Sequence, residues 1–247
     1  MVFLVGISGV AAAAVAWMAR GEPVPGPVDV AWSIGAGLAA GVGIAALYRG
    51  LATGRMAIVA PVTGLLAAIV PVGVGFGLQG LPAPTVLAGI GLAFVAVLLV
   101  SRVPGVSGEP AGVGLAVIAG VGLGLFNVFI ANVTEGLLFG PLTVVRLAEA
   151  GLIGIVVLAT RQAWRVPSPL LAPVALIGLL DATGNAAFIA AEQAGRLDVA
   201  SVLSSLYPVT TLVLAAVVLR ERVTRLHGAG IAAALGAIAL IAAGSTG

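Results

Sequence analysis

From Val2 to Ala243 the chain is apolar for one long stretch after another, broken only by short clusters such as RGEPVPGPVD, RVPGVSGEP and RERVTRLH. A stretch of about 20 apolar residues is what a helix needs to cross the hydrocarbon of a bilayer. Nine such spans are predicted: Val2–Ala19, Val30–Leu51, Met56–Leu78, Thr85–Ser101, Ala111–Asn132, Leu138–Thr160, Leu170–Ala191, Val199–Leu219 and His227–Ala243. Proline, glycine and arginine between them mark loops. Trp17, Trp32 and Trp164 fall near span ends, where interfacial anchors sit. Met1–Ala19 has no basic residue before Arg20, which favours a first span over a cleaved signal peptide. The runs are continuous rather than alternating, and too long for barrel strands. The expected fold is therefore an all-α integral membrane protein.

Composition closes the alternatives. Of 247 residues, 61% are hydrophobic and 8% charged, and mean hydropathy is +1.24. A soluble domain carries about 25% charged residues. The formal charge of +2 comes from scattered arginines, with no basic patch and interleaved aromatics, so nucleic acid is excluded as a partner. Without cysteine, neither a disulfide framework nor a thiolate metal site is possible. A Ser-His-Asp reading would rest on the one histidine, His227, at a loop–helix junction far in sequence from the central acids. No Walker-type phosphate loop is present, and no cofactor is expected.

Glycines inside the spans recur four apart, as at Gly37/Gly41, Gly73/Gly77 and Gly120/Gly124. Small residues at that interval let helix backbones approach closely in lipid. A weak internal repeat accompanies them. Shifted by 141 residues, AALYRGLATGRMAIVAPVTGLL falls on AAFIAAEQAGRLDVASVLSSLY, and Gly89-Ile90 falls on Gly230-Ile231 without a gap. The second, third and fourth spans then match the seventh, eighth and ninth. A step of five spans reverses orientation, so the halves are predicted to be inverted repeats, 1–102 and 111–247, as in secondary transporters with a site near mid-membrane.

Two sets of residues are candidates for that site. Pro61, Pro71 and Pro208 are predicted helix breaks, each freeing a carbonyl one turn earlier. Around Pro208 the hydroxyls of Ser205, Tyr207 and Thr211 could re-satisfy the backbone along a wet cavity, or simply bond back within their own helix. The second set is charged. Arg146 and Glu149 lie in the middle of the sixth span, and Asp181 in the middle of the seventh. A charge at a helix centre costs about 2.5–3.5 kcal/mol on insertion scales, so such groups face protein or water and find partners. Arg146 and Glu149, three apart, share a face, Asn185 lies one turn from Asp181, and Asn127 of the fifth span is a further candidate. One cation against two carboxylates leaves a spare negative charge for a proton or a cationic substrate. A purely structural ion-pair network is the competing account.

The segment GRLDVASVLSSLYPVTTLVLAAVVLRERVTRLHGAGIAAALGAIALI resembles the last two helices of EamA-type members of the drug/metabolite transporter superfamily. The likeness lies in the small-polar run before Pro208, in LRER with Glu221, and in Gly228 and Gly230 opening the last helix. GRMAIVAPVTGLLAAIVPV resembles the matching helix of the first half, with Gly80 where a glutamate is expected. The resemblance implies two inverted five-helix halves around a central cavity that move metabolites, amino acids or toxic compounds, including by efflux, by alternating access. It also implies that the first of ten helices is missing here, leaving four spans in 1–102 and five in 111–247. The expected partners are the bilayer, a small-molecule substrate and a proton as coupling ion, with a homodimer as candidate assembly. A non-transporting scaffold or a partner-dependent subunit is the alternative function.

Eight arginines (49, 55, 102, 161, 165, 220, 222 and 225) fall in loops on one side, against Arg20 and Arg196 on the other. The positive-inside rule puts the N-terminus in the cytoplasm of a cytoplasmic-membrane protein and the C-terminus outside, whereas the resemblance implies a cytoplasmic C-terminus. The cysteine-free chain allows a direct check by thiol labelling in intact cells. Val24→Cys should react with an impermeant reagent from outside, and Thr53→Cys only after the cells are opened. The reverse pattern would invert the orientation.

Overall fold

Helices account for the regular structure of the described residues, because in hydrocarbon a helix satisfies its own backbone hydrogen bonds. The computed structural model describes residues 2–53, 56–100, 112–160, 167–204 and 224–245, with 206, 209, 210, 213 and 217 between the last two. The helices are α1 (Val2–Arg20), α2 (Pro27–Thr53), α3 (Met56–Gln79), α4 (Pro84–Val100), α5 (Val113–Ile130), α6 (Phe139–Ala159), α7 (Leu171–Gln193), α8 (Leu197–Ser204) and α9 (Arg225–Ser245), with a 3-10 turn at Ser168–Leu170. Six are long and apolar enough to span a membrane, and between 22% and 39% of each such span is buried in protein. The rest of their apolar surface needs lipid, so the chain is a multi-pass membrane protein.

The helices pack as two units that cut across the 1–102 and 111–247 division. One comprises Met1–Ala45 and Leu125–Ala194, the other Ala46–Gly124 and Gly195–Gly247. α2 and α5 each run from one unit into the other.

In the first unit, α1 lies antiparallel to α6. Gly6 meets Ala150, Gly9 meets Arg146, and Trp17 meets Gly140 near the far end. α7 crosses α1 at Gly178, where an added Cβ would collide with Ser8 and the carbonyl of Val5. Gly37 and Gly41 of α2 lie in the same way on Val145, Ala148 and Leu152 of α6. Phe129 of α5 fills the space over Gly35, its ring 5.9 Å from that of Trp32.

In the second unit, α4 and α9 are antiparallel: Gly244 on Val86, Ile241 on Gly89, Gly236 on Leu92. Val86, Ile90, Ala93 and Val97 close a core there with Ala234, Ala237 and Ile241. α8 is antiparallel to α3, with Gly75 against Asp198. α5 runs parallel to α3, where Gly120 and Gly124 receive Leu66 and Val70, and Thr63 Oγ1 donates to the carbonyl of Ala116 at 3.3 Å.

Two expectations are corrected. α3 is helical through both Pro61 and Pro71, so neither breaks it. A proline removes a single N–H from the ladder, and at the fully buried Pro71 the flanking turns are held by packing. Gly73 and Gly77 also meet no helix among the described residues; Gly75, on the opposite side, makes the close approach. Pro208 lies outside the described residues.

Close contact at Gly178 makes a sharp prediction. Gly178→Val should lower stability by about 1–3 kcal/mol, the usual cost of overpacking. Gly73→Ala, in open space, should leave the unfolding temperature of the detergent-solubilised protein unchanged.

Candidate functional site

α6 and α7 carry a three-residue ion network in the first unit. Arg146 Nη1 donates to Glu149 Oε2 at 2.8 Å, one helical turn away. Arg146 Nη2 lies 2.5 Å from Asp181 Oδ2 across to α7. That second contact is a charge pair at closer range than the first. Asn185 Nδ2 donates to the backbone carbonyl of Asp181 at 3.0 Å and, more weakly, to Asp181 Oδ1 at 3.4 Å.

Burial divides the three. Side-chain exposure is 4% for Arg146 and 6% for Glu149, but 44% for Asp181. The guanidinium stem runs along α1 at Gly9, whose Cβ position lies 3.6 Å from Arg146 Cδ and Nε, an ordinary packing contact. Gly41 of α2 lies against the backbone of Glu149. No charge from α1 or α2 enters the network, which holds a formal charge of −1 with both acids ionised. Such an arrangement can fix two helices or present a carboxylate to a mobile cation.

The spacing of Arg146, Glu149, Asp181 and Asn185 thus meets in one place. Asn127 does not join them: it is half-buried on α5, and no polar contact links it to the network among the described residues. Ser205, Tyr207 and Thr211 lie outside the described residues. Two apolar grooves of about 530 and 520 Å³ on the first unit, one beside Trp32 and Phe129 and one beside Leu147 and Ile155, are lined by none of the four.

Several polar residues that sequence reasoning passed over hold the helix ends. α6 begins at Leu138 with no side-chain cap of its own. Glu22, from the α1–α2 loop, supplies one: its Oε2 accepts from the backbone N–H groups of Leu138, Phe139 and Gly140 at 3.1, 2.7 and 3.2 Å. A carboxylate there complements both the orphan donors and the helix dipole. Arg20 stacks 5.4 Å over the ring of Phe139 beside it. Asp29, buried at the start of α2, accepts from the N–H and hydroxyl of Thr134, both at 2.9 Å, and ties down the α5–α6 loop. Gln193 grips the same loop by donating to the carbonyl of Leu137 at 3.0 Å. In the second unit Arg196 donates to the carbonyls of Gln79 and Gly80, at 3.3 and 2.6 Å, and pairs with the fully buried Asp198 at 3.0 Å. Gly80 adopts φ +72°, so the position where a glutamate is expected ends α3 in a left-handed turn that favours glycine and presents its carbonyl to Arg196. The signal was an acid or arginine within a few residues of a Gly/Pro-marked helix end.

Unequal burial predicts unequal costs. Arg146→Leu strands Glu149 as a buried charge and should destabilise the protein by about 3–5 kcal/mol. Asp181→Asn, half-exposed and isosteric, should cost about 1 kcal/mol or less. Thermal unfolding in detergent separates the two, and equal losses would contradict the assignment.

Comparison with known proteins agrees with this architecture. One solved crystal structure superposes on 97% of the chain and 86% of its own length, with a TM-score of 0.79 at 22% identity, which establishes a shared fold. Comparison with curated proteins returns no match. The sequence profile of the EamA-like transporter family matches residues 110–243, more than half of the chain. The chain belongs to the EamA-like transporter family.

Proposed function

We propose that the protein is a secondary transporter of the cytoplasmic membrane that moves small metabolites, amino acids or toxic compounds by alternating access. The observation that carries this reading is Asp181. A carboxylate 44% exposed in the middle of a membrane span cannot face acyl chains at tolerable cost, so it lines water or a solute. It is joined to a buried pair, Arg146 and Glu149, that holds it without neutralising the set.

The inverted-repeat organisation, 1–102 against 111–247, belongs to the same proposal. Supporting it, helices related by the 141-residue shift pack antiparallel in three cases: α1 with α6, α3 with α8, and α4 with α9. Gly37 and Gly178 are themselves 141 apart, and each packs a helix onto a backbone carbonyl, of Val145 and of Val5. A pseudo-two-fold axis in the membrane plane produces such pairs, and halves related in that way can rock about a midplane cavity. A proton is the proposed coupling ion.

Reconstituted protein, given a panel of labelled amines, amino acids and hydrophobic cations, tests this directly. Uptake should respond to a pH gradient, and both Glu149→Gln and Asp181→Asn should flatten that response. Normal transport by both variants across a pH series would remove these carboxylates from the coupling mechanism.

A further inference from the structure

The triad is unbalanced in charge and in mobility. Glu149 is sealed in the first unit and takes the aligned bond from Arg146, at 2.8 Å. Asp181 takes the other arm of the guanidinium at 2.5 Å through Oδ2, and its Oδ1 accepts a weak bond from the Asn185 amide at 3.4 Å. The arginine is 96% buried beside a Glu149 only 6% exposed, whereas Asp181 is 44% exposed, so of the two ion pairs only the one to Asp181 is open to a solute.

We propose that Arg146 is a tethered competitor for the transported ion: a solute cation takes Asp181, and the guanidinium withdraws onto Glu149. This rests on the carrier reading above and specifies its substrate as a monovalent organic ammonium. One spare carboxylate balances one positive charge, and the amide of Asn185 offers an oxygen of the kind an ammonium N–H uses. A divalent metal is disfavoured, because no cluster of three or more ligating His, Cys, Asp or Glu occurs among the described residues. The charged and polar groups around Asp181 among the described residues are Arg146 and Glu149 from α6 and Asn185 from its own helix; where α1 passes Arg146 and Gly178 it presents Gly9 and Ser8, which carry no charge. When the ammonium leaves, Arg146 returns to Asp181.

Labelled benzylammonium binding to the full chain in nanodiscs tests the exchange, with benzoate and benzyl alcohol as controls of the same size. Wild type should bind benzylammonium saturably and not benzoate, and Asp181→Asn should weaken binding about tenfold or more. The decisive variant is the charge-balanced double substitution Arg146→Gln with Glu149→Gln, which removes the competitor while leaving a neutral, hydrogen-bonding pair. It should bind benzylammonium about tenfold more tightly than wild type. Arg146→Lys, unable to fork across two carboxylates, should shift affinity in the same direction by less. A merely structural triad predicts the opposite, weaker binding in both. Absence of benzylammonium binding to wild type, or no tightening in either arginine variant, overturns the proposal. Wild type that transports other solutes but ignores benzylammonium sinks only the cation assignment. Wild type that binds benzylammonium as described yet moves no solute sinks the carrier reading and leaves the exchange standing.

Discussion

A guanidinium in the middle of a membrane helix sets the terms for the first unit. Arg146 cannot be solvated by lipid, so α6 must place it where acids can reach it. Glu149 is supplied one turn along the same helix, and Asp181 is supplied by α7. α7 comes that near past α1 because Gly178 has no side chain: an added Cβ there would collide with Ser8 and the carbonyl of Val5, while Gly9 of α1 packs on the arginine. The crossing of three helices therefore follows from one charge and one missing side chain.

The same economy of side chains governs the rest. In lipid there is no hydrophobic gain from joining apolar helices, so contact has to come from close van der Waals approach. Gly37 and Gly41, Gly120 and Gly124, and Gly89 with Gly244 supply that approach at separate crossings. The loops are held differently, by charge at helix ends. Glu22 closes the N-terminus of α6, Asp29 anchors the turn before it, and Arg196 closes the C-terminus of α3. These clasps at the membrane surface and glycine seams within it leave the mid-membrane acids available for other work.

Much of this was legible in the sequence, and the rest was hidden for identifiable reasons. Hydrophobic runs state their own ends, so eight of the predicted spans agree with helices of the described residues to within three residues. Arg146, Glu149, Asp181 and Asn185 were legible because a charge in an apolar span has few places to go. Asn127 forms no polar contact with them among the described residues, and the direction of its side chain depends on how α5 packs. Spacing identified Gly37/Gly41 and Gly120/Gly124 yet also suggested Gly73/Gly77, since an interval of four says nothing about whether a neighbour is present. Prolines at 61 and 71 misled because a helix embedded among neighbours tolerates a missing bond that an isolated one would not. Glu22 and Asp29 read as ordinary loop acids, because their partners lie more than 100 residues away.

Whether water reaches the Asp181 face of α7 is the point on which the account turns. A single cysteine at Asn185, one turn from Asp181, measures it against a cysteine at Leu180, which is exposed on the same helix. Thiols react with charged methanethiosulfonates as thiolates, and thiolates form in water. The account predicts rapid labelling of Asn185→Cys in proteoliposomes and slow labelling of Leu180→Cys. Labelling of Leu180→Cys alone, or of neither, would contradict it, placing the central acids in a dry structural clasp.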